Sequence, residues 1–126
     1  MTTETKQTLT TQQVADRFNA LAQKEMWFEI QDELFADNVR SVEPADSPYF
    51  KDAQGKSAVR KKGEDWVARV QEVHKLSTTT PIVGGNHFAV GREVDITVEG
   101  HGKVVINQIM LYEVKDGRIV LEQFTY

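Results

Sequence analysis

The chain has 126 residues, enough for one domain with a single core and too few for two. Hydrophobic residues make up 40% and charged residues 27%, a balance that excludes a disordered chain. The net charge of -4 with one short basic run, Arg60-Lys61-Lys62, argues against nucleic acid as a partner. With no cysteine there is no disulfide, thiolate nucleophile or sulfur-ligated zinc, and no apolar run approaches the ~20 residues of a membrane-crossing helix.

Residues 1–9 are polar and expected to fray; they lack the apolar core of a secretory signal, so a cytoplasmic protein is expected. One domain is expected over 10–126. Thr10 and Gln13 have the spacing of a capping box, with Leu9 and Val14 as its hydrophobic staple. Val14, Phe18, Leu21 and Ala22 then recur at helical spacing and predict a helix over 11–25. Trp27, Ile30, Leu34 and Phe35 predict a second, shorter helix. A turn is expected at Asp37-Asn38 and a short strand over 39–43, ended by Pro44, which lacks the N–H a ladder needs.

Residues 44–55 read as a loop carrying Tyr49 and Phe50. Val59, Trp66, Val67, Val70 and Val73 follow a helical period, predicting a third helix over 57–74, with the basic triplet on its solvated face. Gly63 interrupts it at a cost of roughly 1 kcal/mol relative to alanine, which points to a close neighbour. Everything beyond reads as strand: 76–83, with Pro81 marking an edge, then 87–98, 103–114 and 118–126. A Gly-rich turn lies over 99–102, and Asp116-Gly117 signals a tight hairpin.

Pairing Val98 with Val104 sorts the side chains by face. Val94, Ile96, Val98, Ile106, Gln108, Met110 and Tyr112 share the side richer in large apolar groups, which should meet the helices. The other side mixes Glu93, Asp95 and Thr97 with Val105, Ile109 and Leu111, joined by Ile119 and Leu121. That wet apolar strip predicts a homodimer through the outer sheet face, with Ala89 and Gly91 small enough to admit a second sheet.

The run from Phe35 to Pro44 resembles the end of the second helix and the first strand of nuclear transport factor 2-like domains. The run from Met110 to Ile119 is similar to their final hairpin. With the helices in order between and before them, the resemblance to this superfamily, in its SnoaL-like and ketosteroid isomerase-like branches, covers 10–126. It implies an α+β, cone-shaped fold: a strongly curved antiparallel sheet wrapped around three N-terminal helices (cystatin-like), with a small-molecule pocket in the cone. It also implies a small, largely apolar ligand and cofactor-free isomerase, cyclase or dehydratase chemistry, or else a non-catalytic binding or dimerisation module.

Glu43 matches the position of the isomerases' proton-transferring carboxylate; the alternative is a strand-end glutamate in water. Gln108 matches their oxyanion-side acid, where an amide is a weaker donor. Phe18 stands where they carry a tyrosine, and without a hydroxyl it cannot donate, so true ketosteroid isomerase activity is not expected. Glu122 points inward with Phe124 and Tyr126 and resembles the acid of SnoaL-like cyclases, unless Arg92 or Arg69 neutralises it. The expected ligand-binding set is Phe18, Tyr49, Trp66, Val94, Ile96, Met110, Phe124 and Tyr126. No metal site is expected: His74 caps a helix, His87 faces outward and His101 lies in an exposed turn.

Overall fold

The computed structural model describes residues 8–126, so most of the start expected to fray lies outside the described residues. Thr8 and Leu9 are in place, packed over the hairpin turn at Gly117. A Cβ added to that glycine would stand 2.8 Å from the Leu9 amide nitrogen.

Helix α1 (Thr11–Ala22) opens with the expected capping box. Thr10 Oγ1 accepts from the Gln13 N–H (3.1 Å), and Gln13 Oε1 accepts from the Thr10 N–H (2.9 Å). It ends three residues earlier than its periodicity suggests, in a turn where Glu25 takes a left-handed φ of 57°. Helix α2 (Trp27–Leu34) runs directly into strand β1 (Phe35–Val42). The turn expected at Asp37-Asn38 is instead part of that strand. β1 pairs with the last strand at Phe35 and again from Arg40, and the two exposed polar residues occupy the irregular stretch between.

Within the 44–55 loop a two-residue strand, β2 (Ala53–Gln54), pairs with β1. Helix α3 (Lys56–Arg69) follows. A Cβ on Gly63 would lie 3.1 Å from the Phe28 ring, which is the close neighbour its sequence implied.

The third helix does not reach residue 74. Strand β3 (Val70–Thr78) takes over, and two irregularities explain why it reads as helix. Its partners on β5 (His87–Val98) are Val98 for Val70, Ile96 for Val73 and Val94 for Leu76, with extra residues between. Bulges thus stretch same-face spacing from two residues to three, close to a helical repeat. His74 therefore caps no helix; its Nε2 meets Thr97 Oγ1 at 2.9 Å on the neighbouring strand. The strand expected over 76–83 is likewise divided, with β4 (Ile82–Gly84) resuming the pairing to β5 after a break at residues 79–81.

Strands β5, β6 (Gly102–Lys115) and β7 (Arg118–Phe124) form an antiparallel meander, and the sheet order is β2-β1-β7-β6-β5-β3. β1 lies parallel to β7, the one parallel pair among the described residues in this curved, unclosed sheet. The β5–β6 register is offset by two from the expected one: Val98 faces Gly102, and Ile96 faces Val104. A slip of two preserves the faces, and Ile96, Val98, Val104, Ile106, Met110 and Tyr112 are all buried. Asp116 and Gly117 both take positive φ in the tight hairpin that their sequence signals.

Two apolar clusters fill the concave side. The larger joins α1 and α2 to β5, β6 and β7 around Phe18, whose ring meets Tyr112 at 4.7 Å and Phe88 at 5.0 Å. The smaller joins Ile96, Val98, Val104 and Ile106 to Tyr49, Trp66 and Tyr126. Two expectations for the outer face are corrected. Ile119 is fully buried in the larger core, because an extra residue, Val120, between the Leu121–Glu113 and Ile119–Val114 pairs puts Ile119 and Leu121 on opposite faces. The space beside Gly91 is filled by Thr79 of the same chain, 3.1 Å from where a Cβ would stand. Among the described residues no helix is long and apolar enough to cross a membrane.

Candidate functional site

Strand β1 sends alternate side chains inward, ending with Ser41, and Glu43 just beyond the strand continues the alternation. Ser41 is fully buried and Glu43 nearly so. In the parallel β1–β7 ladder Ser41 lies beside Glu122, which is equally buried. Two carboxylates therefore share one apolar interior, a costly arrangement unless a cation joins them.

That cation is Lys62. It was expected on a solvated face, but it follows Val59 by three residues and precedes Trp66 by four, on the inner stripe of α3. Its Nζ donates to Glu43 Oε2 (2.7 Å), Ser41 Oγ (2.7 Å) and the Lys51 carbonyl (3.4 Å). The neighbours Arg60 and Lys61 turn outward, to Asp32 and Asp65. The helical spacing from Val59 to Trp66 is the signal that would have singled Lys62 out.

Hydrogen bonds extend from this centre in a chain. The Tyr126 hydroxyl donates to Glu43 Oε1 (2.6 Å) and in turn receives the Ser47 hydroxyl (2.5 Å). Ser47 Oγ accepts the Tyr49 and Phe50 N–H groups, tying the 44–52 loop to the cluster. Burial raises the Tyr126 phenol, and the bond it gives Glu43 raises it further, so it stays a donor.

Glu122 has the most altered acidity. Burial pushes its carboxyl up to about 7, and Glu43 adds to the rise; Ser41, Lys62 and Tyr112 oppose it. Neither Arg92 nor Arg69 neutralises Glu122. Arg92 clamps Glu25 through two 2.9 Å bonds and lies 4.7 Å over the Trp27 ring, while Arg69 donates to the Glu99 carbonyl.

Of the remaining candidates, Gln108 faces inward opposite Arg92, but its amide oxygen accepts the Thr125 N–H (3.4 Å) and no hydrogen bond joins it to either carboxylate. Phe18 and Met110 are core residues of the larger cluster. Phe124 packs against that cluster, with Lys62 Nζ 5.6 Å above its ring. Val94 and Ile96 belong to the smaller cluster. Tyr49, Phe50, Trp66 and Tyr126 form one aromatic group over it, and His101, exposed as expected, meets Tyr49 edge-on at 5.2 Å. Two clefts flank the 44–54 loop. One, of about 490 Å³, lies between the loop and α3, with Trp66, Phe50 and Lys62 in its wall. The other, of about 370 Å³, is bordered by Tyr49, Ile106 and Tyr126. Among the described residues no three His, Asp or Glu side chains gather as metal ligands would.

Residues 9–126 match the model of the SnoaL-like domain. The chain belongs to the SnoaL-like family. A Mesorhizobium loti protein provisionally assigned as a SnoaL-like polyketide cyclase is 31% identical, with 94% of this chain and all of that one aligned at a TM-score of 0.86. A Catenulispora acidiphila protein with a ketosteroid isomerase-like fold, solved with trimethylamine, is similar at 18% identity over 93% of this chain and 87% of its own, with a TM-score of 0.65. A Xanthomonas campestris protein of cystatin-like fold aligns at 13% identity over 92% and 89% of the two chains, with a TM-score of 0.68. Among curated proteins no match is found. The likenesses of 13% and 18% establish the fold alone. Within this SnoaL-like chain Glu43, Lys62, Ser41, Glu122 and Tyr126 form the buried polar cluster.

Proposed function

We propose that this SnoaL-like domain binds a small, largely apolar molecule beside the Glu43–Lys62–Glu122 cluster and moves protons on it without a cofactor, as an isomerase, cyclase or dehydratase does. The observation that carries this reading is the pair of buried carboxyls around Lys62, one of them, Glu122, raised to about 7. A group that is half ionised at neutral pH can both take and return a proton. The roles differ from those the sequence suggested. Glu43 is committed to Lys62 and Tyr126, so Glu122 is the proton carrier, held beside Ser41 while the charges of Glu43 and Lys62 bias its acidity.

Deuterium wash-in tests the reading. A panel of cyclic 1,3-diketones and aryl ketones in D₂O should lose its acidic C–H signals faster with the protein than with buffer. The acceleration should rise through pH 7 and vanish in Glu122→Gln. No acceleration of any panel member, or an undiminished rate in Glu122→Gln, would refute the assignment.

We also infer a homodimer through the outer sheet face, where Val105 is 58% and Ile109 53% exposed. Both are already about half buried, so covering the rest of each in a two-fold contact is worth about 1–1.5 kcal/mol. Light scattering at micromolar concentration should give twice the chain mass and Ile109→Lys half of that; a monomeric wild type would exclude this contact.

A further inference from the structure

The cleft between the 49–54 loop and α3 combines features that no other cavity described above shares. Its wall carries two aromatic rings packed against each other, Trp66 and Phe50, with centroids 4.5 Å apart. Four cations border it, Lys51, Lys61, Lys62 and Arg69, against two carboxylates, Asp52 and Asp65, so the lining is net positive in a chain of net charge -4. Its volume of about 490 Å³ is within the range of small-molecule sites.

Lys62 gives this cleft its link to the interior. Of the buried cluster it alone lines the cleft, and its three donor contacts differ in length. Those to Glu43 and Ser41 are 2.7 Å, while that to the carbonyl of Lys51, itself a residue of the cleft wall, is 3.4 Å. The long contact is the one a ligand oxygen can replace without breaking the bonds that hold Glu43 and Ser41. An anion there meets a cation shielded from water, and the rings beside it offer π faces and edges to a flat partner.

We propose that this cleft is a binding site for a planar aromatic carboxylate, its rings against Trp66 and Phe50 and its carboxylate at Lys62 Nζ. The proposal rests on the reading of the Lys62 cluster as the working site and names the class of molecule that it takes. Binding also changes the interior. The groups facing Glu122 are Ser41 of β1, Glu43 just beyond that strand, Lys62 of α3 and Tyr112 of β6, and Lys62 is the one cation among them. A ligand anion at Lys62 shares its charge, so Glu122 holds its proton more firmly and the complex takes up protons near neutral pH.

2-Naphthoate and its neutral isostere 2-naphthamide distinguish the outcomes. Titration followed by the Trp66 indole N–H resonance, identified by its loss in Trp66→Phe, should show saturable binding of the acid at least tenfold tighter than the amide. The advantage should shrink in 0.5 M salt and in Lys62→Gln. Calorimetry at pH 7 in buffers of different ionisation enthalpy should show net proton uptake with the acid. Equal affinity for acid and amide, or an unmoved Trp66 signal at millimolar acid, would overturn the site in the wild-type protein, whatever the fate of Lys62→Gln. That result would leave the deuterium exchange assigned to Glu122 to stand or fall separately.

Discussion

Replacing Glu122 by glutamine keeps the shape of the side chain and removes its proton equilibrium. In the folded protein burial raises this carboxyl from the ordinary 4.5 to about 7. The fold therefore holds the proton more tightly than the unfolded chain does. Between those two values the folded state binds more protons, so this group's contribution to stability falls as pH rises, and it levels off above about 7. Each pH unit of that interval is worth about 1.4 kcal/mol, so ionised Glu122 costs on the order of 3 kcal/mol at pH 8.5. Glutamine never ionises and avoids that cost. Urea unfolding of both proteins, followed by circular dichroism from pH 4 to pH 8.5, should therefore show the variant gaining on the wild type by on the order of 3 kcal/mol across the range. Parallel stability curves would mean that Glu122 titrates normally in the folded protein, and both the buried-acid argument and the proton-carrier role would fail.

Lys62→Met should do the opposite at neutral pH. It strands Glu43, whose side chain is 3% exposed, and should destabilise the domain by about 3–5 kcal/mol in the same urea assay. Gly117→Ala should cost about 1–2 kcal/mol, because the site has a φ of +76° and the new methyl group would press on the Thr8–Leu9 backbone. Thermal melts should show that loss, and restoring stability by deleting residues 1–9 would identify the contact rather than the backbone angle as its cause.

Local signals in the sequence were reliable where their cause was local. The Thr10–Gln13 box and the Asp116-Gly117 turn depend on a few adjacent residues and form as read. Alternation over 87–114 assigned the faces correctly although the register slid, because a two-residue slip leaves every side chain on its own side. Two of the failures came from bulges. Val70 and Val73 read as helix because inserted residues in β3 give same-face positions a spacing of three, and Ile119 was placed outside because Val120 reverses the alternation in β7. A bulge leaves no mark in the pattern that distinguishes it from a change of period. Glu43 was singled out by the family resemblance and Glu122 by the alternation of the last strand, and both are buried. Lys62 was hidden by its company: two outward cations precede it, and only its spacing from Val59 and Trp66 sets it apart.

The parallel contact between β1 and β7 also sets the order in which the site can assemble. Lys62 and Glu43 are 19 residues apart and can find each other early, but Tyr126 meets Glu43 across 83 residues. Closing the larger loop has the greater entropic cost, and distant strand pairings form slowly. Until β7 docks beside β1, the lysine–glutamate pair stays hydrated and Glu122 keeps the acidity of a free chain. Refolding at pH 6, between those two acidities, should therefore consume a proton in its slow phase, making the carboxyl a built-in clock for the last strand to join the sheet.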